Sequence, residues 1–377
     1  MKGIFILFIS IIFSITACNQ ENNLINSVDT TPIVKRSPSY SFVKDSNIVY
    51  AEGLVHDNES VYPFSSNNLG DDSPLMLDVY YPVDRSNNRP VFMWIHGGGF
   101  TGGTKTKVDI VEMAEYYATR GWVFISIDYR TTEELCDAEH IPACKDKLKE
   151  MVKIDRDKII DFYTGIAPQE WVSYVLNQNP DSPKKLQQSI AQYTSQRDAK
   201  AALRWIVANA SAYNINTDYI TVGGNSAGSI TTIALGISNQ EDFRKEISLD
   251  DDPTLSTTHL NERYDVKSMV YFWGSNDKLD LHERVYDLKK YERYDATDPE
   301  LFMGHGKAED LQTPYEGALE LQSVYDSLGI YNELNTLVYP PDDNPAGHGA
   351  WDAEVDGVGL FELSFNFIVS RQKLSVE

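Results

Sequence analysis

From residue 48 onward, stretches of alternating hydrophobic and polar positions give way to solid apolar runs, with helical periodicity in between. Residues 48–55 mix apolar and polar positions and residues 75–81 alternate them, which predicts two strands separated by a turn region rich in Ser, Asn, Gly and Asp. Residues 91–95 (Val-Phe-Met-Trp-Ile) and 123–127 (Val-Phe-Ile-Ser-Ile) are almost wholly apolar, as strands buried on both faces of a sheet must be. Between them, residues 108–119 predict a helix stopped at Gly121. Further along, 199–210 reads as a helix, 219–222 as a strand, and Ser226 opens another helix. Strands are expected at 268–273, 301–304 and 333–339, and helices at 314–327 and 357–370. Strands alternating with helices predict an α/β fold: a mostly parallel central sheet with helices on both faces. Functional sites in such sheets lie beyond the carboxyl ends of the strands.

One stretch breaks the rhythm. Residues 131–196 are charged and mixed in pattern, with Tyr163, Trp171 and Tyr174 embedded. A connection this long is not expected to be structureless inside a domain. It predicts a helical cap insertion within a catalytic domain spanning 41–377, with aromatic residues such as Trp171 lining a substrate pocket.

Composition narrows the partners. With 377 residues, 42% of them hydrophobic, the chain has ample material for a buried core. A formal net charge of −23 argues against nucleic acid, whose phosphates would be repelled, and against electrostatic attachment to anionic lipid. The run Asp250-Asp251-Asp252 reads as a solvated turn, because its spacing does not suit a calcium site. No metal or cofactor is expected.

The first residues carry a targeting pattern. Lys2 precedes an apolar run over residues 4–15, too short to span a bilayer comfortably, and then Thr16-Ala17-Cys18. This predicts a signal peptide over residues 1–17. Ile15-Thr16-Ala17-Cys18 also resembles the bacterial lipobox, which implies a lipidated Cys18 and a lipid anchor as the only membrane attachment. The expected location is the bacterial cell envelope, at the outer membrane or cell surface. Residues 18–40, rich in Asn, Ser and Thr, read as a flexible tether. In an oxidising compartment Cys136 and Cys144 are expected to form a disulfide, two unpaired thiols being the alternative.

Candidate chemistry begins at Gly224-Asn225-Ser226-Ala227-Gly228, which fits G-x-S-x-G between the strand at 219–222 and a helix. A sharp strand-to-helix turn lifts the Ser226 hydroxyl to a helix N-terminus, where developing negative charge is favoured. His96-Gly97-Gly98-Gly99-Phe100 follows the strand at 91–95, and its glycines let backbone N–H groups approach a substrate oxygen. With the amide of Ala227 they could form an oxyanion hole. His96 itself reads as structural, holding the loop. His348, flanked by Gly347 and Gly349 after the last strand, is the candidate base; His56, His140, His259, His282 and His305 lack that placement. The acid belongs in the segment from His305 to Pro314, where Asp310 and Glu309 both qualify; Asp277 is a weaker third choice.

Taken together, His96 to Phe100, Asp128-Tyr129-Arg130, Ala201-Ala202-Leu203-Arg204-Trp205, the serine elbow and Gly347-His348-Gly349 occur in an order that resembles the carboxylesterase and acyl-esterase branch of the α/β-hydrolase superfamily, from Pro74 onward. The resemblance implies an α/β-hydrolase fold, a Ser226–His348–Asp310 (or Glu309) triad, and oxyanion donors at Gly98, Gly99 and Ala227. Two departures stand out: the long 131–196 segment, and one extra residue between His305-Gly306 and Pro314. The activity implied is hydrolysis of a carboxylic ester through an acyl-enzyme, on a small-molecule or carbohydrate-linked substrate. A serine exopeptidase on the same fold is the alternative, and a noncatalytic binding protein a more distant one.

Overall fold

The computed structural model describes residues 31–55, 72–84, 86, 88–132, 156–180, 182–276 and 279–377, all within the unit Thr31–Glu377. The strands are β1 (Ile33–Val34), β2 (Phe42–Leu54), β3 (Asp72–Pro82), β4 (Arg89–Ile95), β5 (Val123–Ile127), β6 (Ile215–Asn225), β7 (Val266–Phe272), β8 (Glu300–Gly306) and β9 (Asn332–Tyr339), followed by the two-residue strands β10 (Asn344–Pro345), β11 (Glu354–Val355), β12 (Val358–Gly359) and β13 (Ser375–Val376). The helices are α1 (Val108–Ala118), α2 (Arg156–Phe162), α3 (Gln169–Asn177), α4 (Pro183–Ala208), α5 (Ala227–Gly236), α6 (Asp280–Arg284), α7 (Tyr315–Leu328) and α8 (Leu360–Gln372).

The main sheet runs β12-β11-β9-β8-β7-β6-β4-β5-β3-β2, with β10 paired to β9 off that path. Strands β5, β4, β6, β7, β8 and β9 are mutually parallel, while β3 and β2 add antiparallel pairs at one edge and β10 to β12 at the other. Every residue of β4 and β5 is buried, which is why those segments are almost wholly apolar. Alternation within β4 sends its side chains to two separate cores. Val91, Met93 and Ile95 join the cluster that includes Leu203, Ile206, Ile230 and Leu321, from α4, α5 and α7. Phe92 and Trp94 join the cluster that includes Ile110, Met113, Phe365 and Ile368, from α1 and α8.

The expected strands and helices are present, most of them longer by a few residues than the local pattern predicts. Two boundaries change. The cap was expected to end at 196 and a core helix to begin at 199, yet α4 runs unbroken across both, started by Pro183 at N1 and a Ser182 side chain that accepts the Lys185 amide at 3.3 Å. The described part of the insertion is helical, formed by α2, α3 and the first half of α4, and its Ile159, Tyr163, Trp171, Val172 and Leu186 belong to the same core cluster as the sheet residues. Residues 31–40, expected to belong to the tether, are part of the folded unit. Ile33 and Val34 pair in parallel with Ser375 and Val376, Val34 is buried, and the Lys35 amide donates to the Arg120 carbonyl. Cys18, Cys136, Cys144 and Asp277 lie outside the described residues. Among the described residues, no helix is long and apolar enough to cross a membrane.

Candidate active site

Strand register brings the candidate chemistry to one edge of the sheet. Ile95 lies opposite Ile127 on one side and Gly224 on the other, Asn225 opposite Phe272, and Phe272 opposite Gly304. The glycine loop, the Asp-Tyr-Arg segment, the serine elbow and the acid segment therefore all emerge where the parallel strands end.

At the elbow, Ser226 adopts φ 53° and ψ −120°, a conformation disfavoured for an L-residue by roughly 1–3 kcal/mol. The turn is held by the Ser226 amide donating to the Phe272 carbonyl at 2.9 Å and by close backbone contact. A Cβ on Gly228 would lie 2.0 Å from the Ile95 oxygen, and one on Gly224 2.4 Å from the Gly228 carbonyl, so neither site admits a larger residue. Ser226 occupies the N-cap of α5, but its side chain makes no capping hydrogen bond. Ala227, the first residue of α5, has an amide with no acceptor inside the helix.

The glycine loop sits directly against the elbow. A Cβ on Gly97 would fall 3.1 Å from Ser226 Cβ, and the Gly97 amide donates to Asn225 Oδ1 at 3.2 Å. Gly98 and Gly99 have φ of 132° and 61°, the left-handed region that favours glycine. Gln188, on α4, donates from Nε2 to the Gly99 carbonyl at 2.7 Å and so fixes the loop from the insertion side. His96 is buried, stacked on Tyr129 at 4.4 Å, and its Nδ1 bonds the Gly97 carbonyl. Burial lowers its pKa. It holds the loop, as expected.

Asp128-Tyr129-Arg130 is a structural brace. Asp128 accepts from the Lys105 amide and ammonium, at 2.7 and 2.9 Å, and Tyr129 donates to the His96 carbonyl at 2.9 Å. Arg130 and Asp198 form a fully buried ion pair at 2.7 Å. Burial would raise the Asp198 pKa, but Arg130 and Arg197 outweigh it and hold it low. Asp252, expected in a solvated turn, is buried instead against Arg197 at 2.7 Å.

His348 Nδ1 lies 2.8 Å from Asp310 Oδ2, with the ring partly open to solvent (38%) and the carboxylate largely covered (9%). Trp273, which follows the Phe272 that anchors Ser226, lies edge-on to the His348 ring at 6.5 Å. The end of β7 thus touches both segments, Phe272 through the Ser226 amide and Trp273 through the His348 ring. Asp310 Oδ1 accepts the amides of Gln312 and Thr313 at 2.9 and 3.2 Å, and Oδ2 accepts the Thr313 hydroxyl. Burial alone would raise the Asp310 pKa; the Thr313 hydroxyl, the two amides and His348 overcome it and hold it at about 2. Glu309 is exposed, and His348 bonds its neighbour Asp310. His305 is buried with Nδ1 on the Gly306 carbonyl, its pKa lowered chiefly by burial.

Trp171 does not line a pocket. It is fully buried, its indole N–H donates to the Ser189 carbonyl at 2.8 Å, and it packs on Tyr193, Phe243 and His282. Sequence reasoning missed three polar residues near the candidate groups: Asn225, Gln188 and Thr313. The pattern Asp-x-x-Thr before Pro314 was the available signal for Thr313, since Asp side chains accept amides two and three residues on in such turns. Gln188, 89 residues from Gly99, had no local signal.

A mostly parallel sheet with the glycine loop, the serine elbow and the acid segment at the carboxyl ends of its strands has the α/β-hydrolase fold. The sequence matches the BD-FAE family over residues 77–159 and 185–313, more than half of the chain, with the gap falling inside the insertion. The chain belongs to the BD-FAE family, an esterase family of this fold. Among solved structures it is similar to a thermophilic esterase from the Planctomycetes species Thermogutta terrifontis. The butyrate-bound form is 18% identical, with a TM-score of 0.51 and coverage of 81% of this chain and 92% of that one. The propionate-bound form is 19% identical, with a TM-score of 0.50 and coverage of 82% and 93%. The apo form is 19% identical, with a TM-score of 0.50 and coverage of 84% and 96%. No curated protein sequence matches the chain.

Proposed function

We propose that the chain hydrolyses carboxylic esters through an acyl-enzyme formed on Ser226. His348 takes the Ser226 proton at Nε2 as the hydroxyl attacks the ester carbonyl, then gives it to the leaving alkoxide. Asp310 orients the ring through Nδ1 and stabilises its charged form. The amides of Gly98, Gly99 and Ala227 bind the oxyanion, and water then reverses the sequence to release the acid. The observation that carries this reading is the 2.8 Å hydrogen bond between His348 and a largely covered Asp310, at the sheet edge where Ser226 leaves its hydroxyl out of helix capping. The similar thermophilic esterase binds butyrate and propionate, which favours short acyl groups as the first substrates to try.

Ser226→Ala is expected to lower kcat on p-nitrophenyl acetate or butyrate by about 10⁴–10⁶-fold and to abolish labelling by a fluorophosphonate. Labelling that persists on another serine with activity intact would overturn the assignment. A preference for dipeptide anilides over these esters would move the function to the exopeptidase reading.

A further inference from the structure

Three polar atoms form a closed triangle beside the candidate base. Thr313 Oγ1 lies 2.8 Å from His348 Nδ1, His348 Nδ1 lies 2.8 Å from Asp310 Oδ2, and Thr313 Oγ1 bonds that same Oδ2. An ionised carboxylate can only accept, so the Thr313 proton goes to Asp310. The Thr313 oxygen then faces Nδ1 as an acceptor, and Nδ1 carries a hydrogen shared between two oxygens. The deprotonated ring nitrogen is left at Nε2, where a general base needs it. Thr313 is 4% exposed, and its amide also bonds Asp310 at 3.2 Å, so the hydroxyl has little freedom to turn elsewhere.

We propose that Thr313 is a positioning residue of the catalytic group, holding the Asp310 carboxylate in place and setting how strongly it favours the charged form of His348. This rests on the reading of Ser226, His348 and Asp310 as the triad. The hydroxyl draws charge from Oδ2 toward itself and offers Nδ1–H a second, neutral acceptor. The first effect tempers the carboxylate's preference for an imidazolium; the second, an acceptor on an N–H that both ring forms carry, opposes it, but weakly because that acceptor is neutral. Among the described residues, the charged group bonded to the ring is Asp310. His305, buried behind the same segment, is another titratable neighbour of Asp310, and Trp273, edge-on to the ring, carries no charge.

The test uses the full chain and compares Thr313→Val, which keeps the shape and removes the hydroxyl, with Thr313→Ser, which keeps the hydroxyl and removes a methyl. Thr313→Val is expected to lower kcat by about tenfold with little change in KM, the loss of one hydrogen bond to a charged group. It should also move the acid limb of the kcat/KM profile to higher pH by about half a unit to one unit. Thr313→Ser should restore kcat to within about threefold of the parent and return the limb to its place. An unchanged kcat and limb in folded Thr313→Val overturn the proposal. So does a Thr313→Ser variant that loses as much activity as Thr313→Val, which would assign the effect to packing. If Thr313→Val does not fold, Thr313→Ala takes its place: a limb moved in Thr313→Ala and restored in Thr313→Ser supports the hydroxyl's role, and one unmoved in folded Thr313→Ala overturns it. His348→Ala separates this from the underlying reading. Activity retained there overturns the triad and the proposal with it, whereas activity lost there with Thr313→Val unaffected overturns the proposal alone.

Discussion

Asp310 and Glu309 are adjacent carboxylates with the same charge, and they differ in the direction their side chains take. In an extended segment neighbouring side chains point to opposite sides, so the one whose oxygen meets His348 Nδ1 has its partner facing solvent. Asp310→Asn is expected to lower kcat by about 10⁴-fold, because an amide offers the wrong hydrogen-bond pattern to the ring. Glu309→Gln, an exposed neighbour, should change kcat less than about threefold. The reverse ranking in steady-state kinetics would exchange their roles. The same residue has a pH signature in stability. Its folded-state pKa of about 2 lies below the unfolded value of about 3.9. The stabilisation is therefore fully present above the unfolded pKa and is lost as pH falls through the folded one. The difference in melting temperature between the parent and Asp310→Asn should hold near neutrality, shrink below about pH 4 and vanish near pH 2.

Helix α4 is the element that most changes how the insertion is understood. Its first half comes from the irregular stretch and its second half from the expected core helix, so one rigid rod of 26 residues joins them. Gln188 on the first half reaches the Gly99 carbonyl. Asp198 on the second half holds both the backbone amide and the guanidinium of Arg130. The insertion thereby supports the glycine loop from above while the core braces the neighbouring Asp-Tyr-Arg turn. Trp171, on α3, packs into the same core, and this assigns its substitution to stability rather than selectivity. Trp171→Ala is expected to destabilise the chain by about 3–5 kcal/mol in denaturant unfolding, as large-to-small changes at buried aromatics do. The ratio of kcat/KM between acetate and butyrate esters should stay within about twofold. A selectivity shift with stability intact would restore Trp171 to the pocket.

At the scale of the whole molecule, the paired short strands β1 and β13 bring the two ends of the described chain together. Residues 35, 39 and 40 are tied to the end of α1 through Thr119 and Arg120. Any connection leading to Cys18 therefore leaves from this region, and lipid anchoring at Cys18 is our proposal for the location of the enzyme. Cys18→Ser is expected to shift the protein from the membrane fraction to the soluble one without loss of esterase activity. Wild-type protein found unmodified in the soluble fraction would overturn the anchor. A net charge of −23 disfavours attachment to an anionic membrane surface by charge alone.

Local sequence was enough where the physics is local. Strand and helix periods, the crowding that admits only glycine at Gly224, and the serine of the elbow are all set within a few residues, and each was legible from the chain. The order of glycine loop, elbow, acid segment and His348 was legible too, because each follows a strand and parallel strands end on one edge. Tertiary structure decided what depends on the direction of a side chain toward a distant partner. Asp310 rather than Glu309 meets a ring 38 residues away, Asp252 is buried on Arg197 55 residues back, and Trp171 turns inward onto Phe243 and His282. In each of these cases composition and spacing allow both outcomes. The choice falls to packing, because a buried charge or indole is stable only where a partner from another element satisfies it.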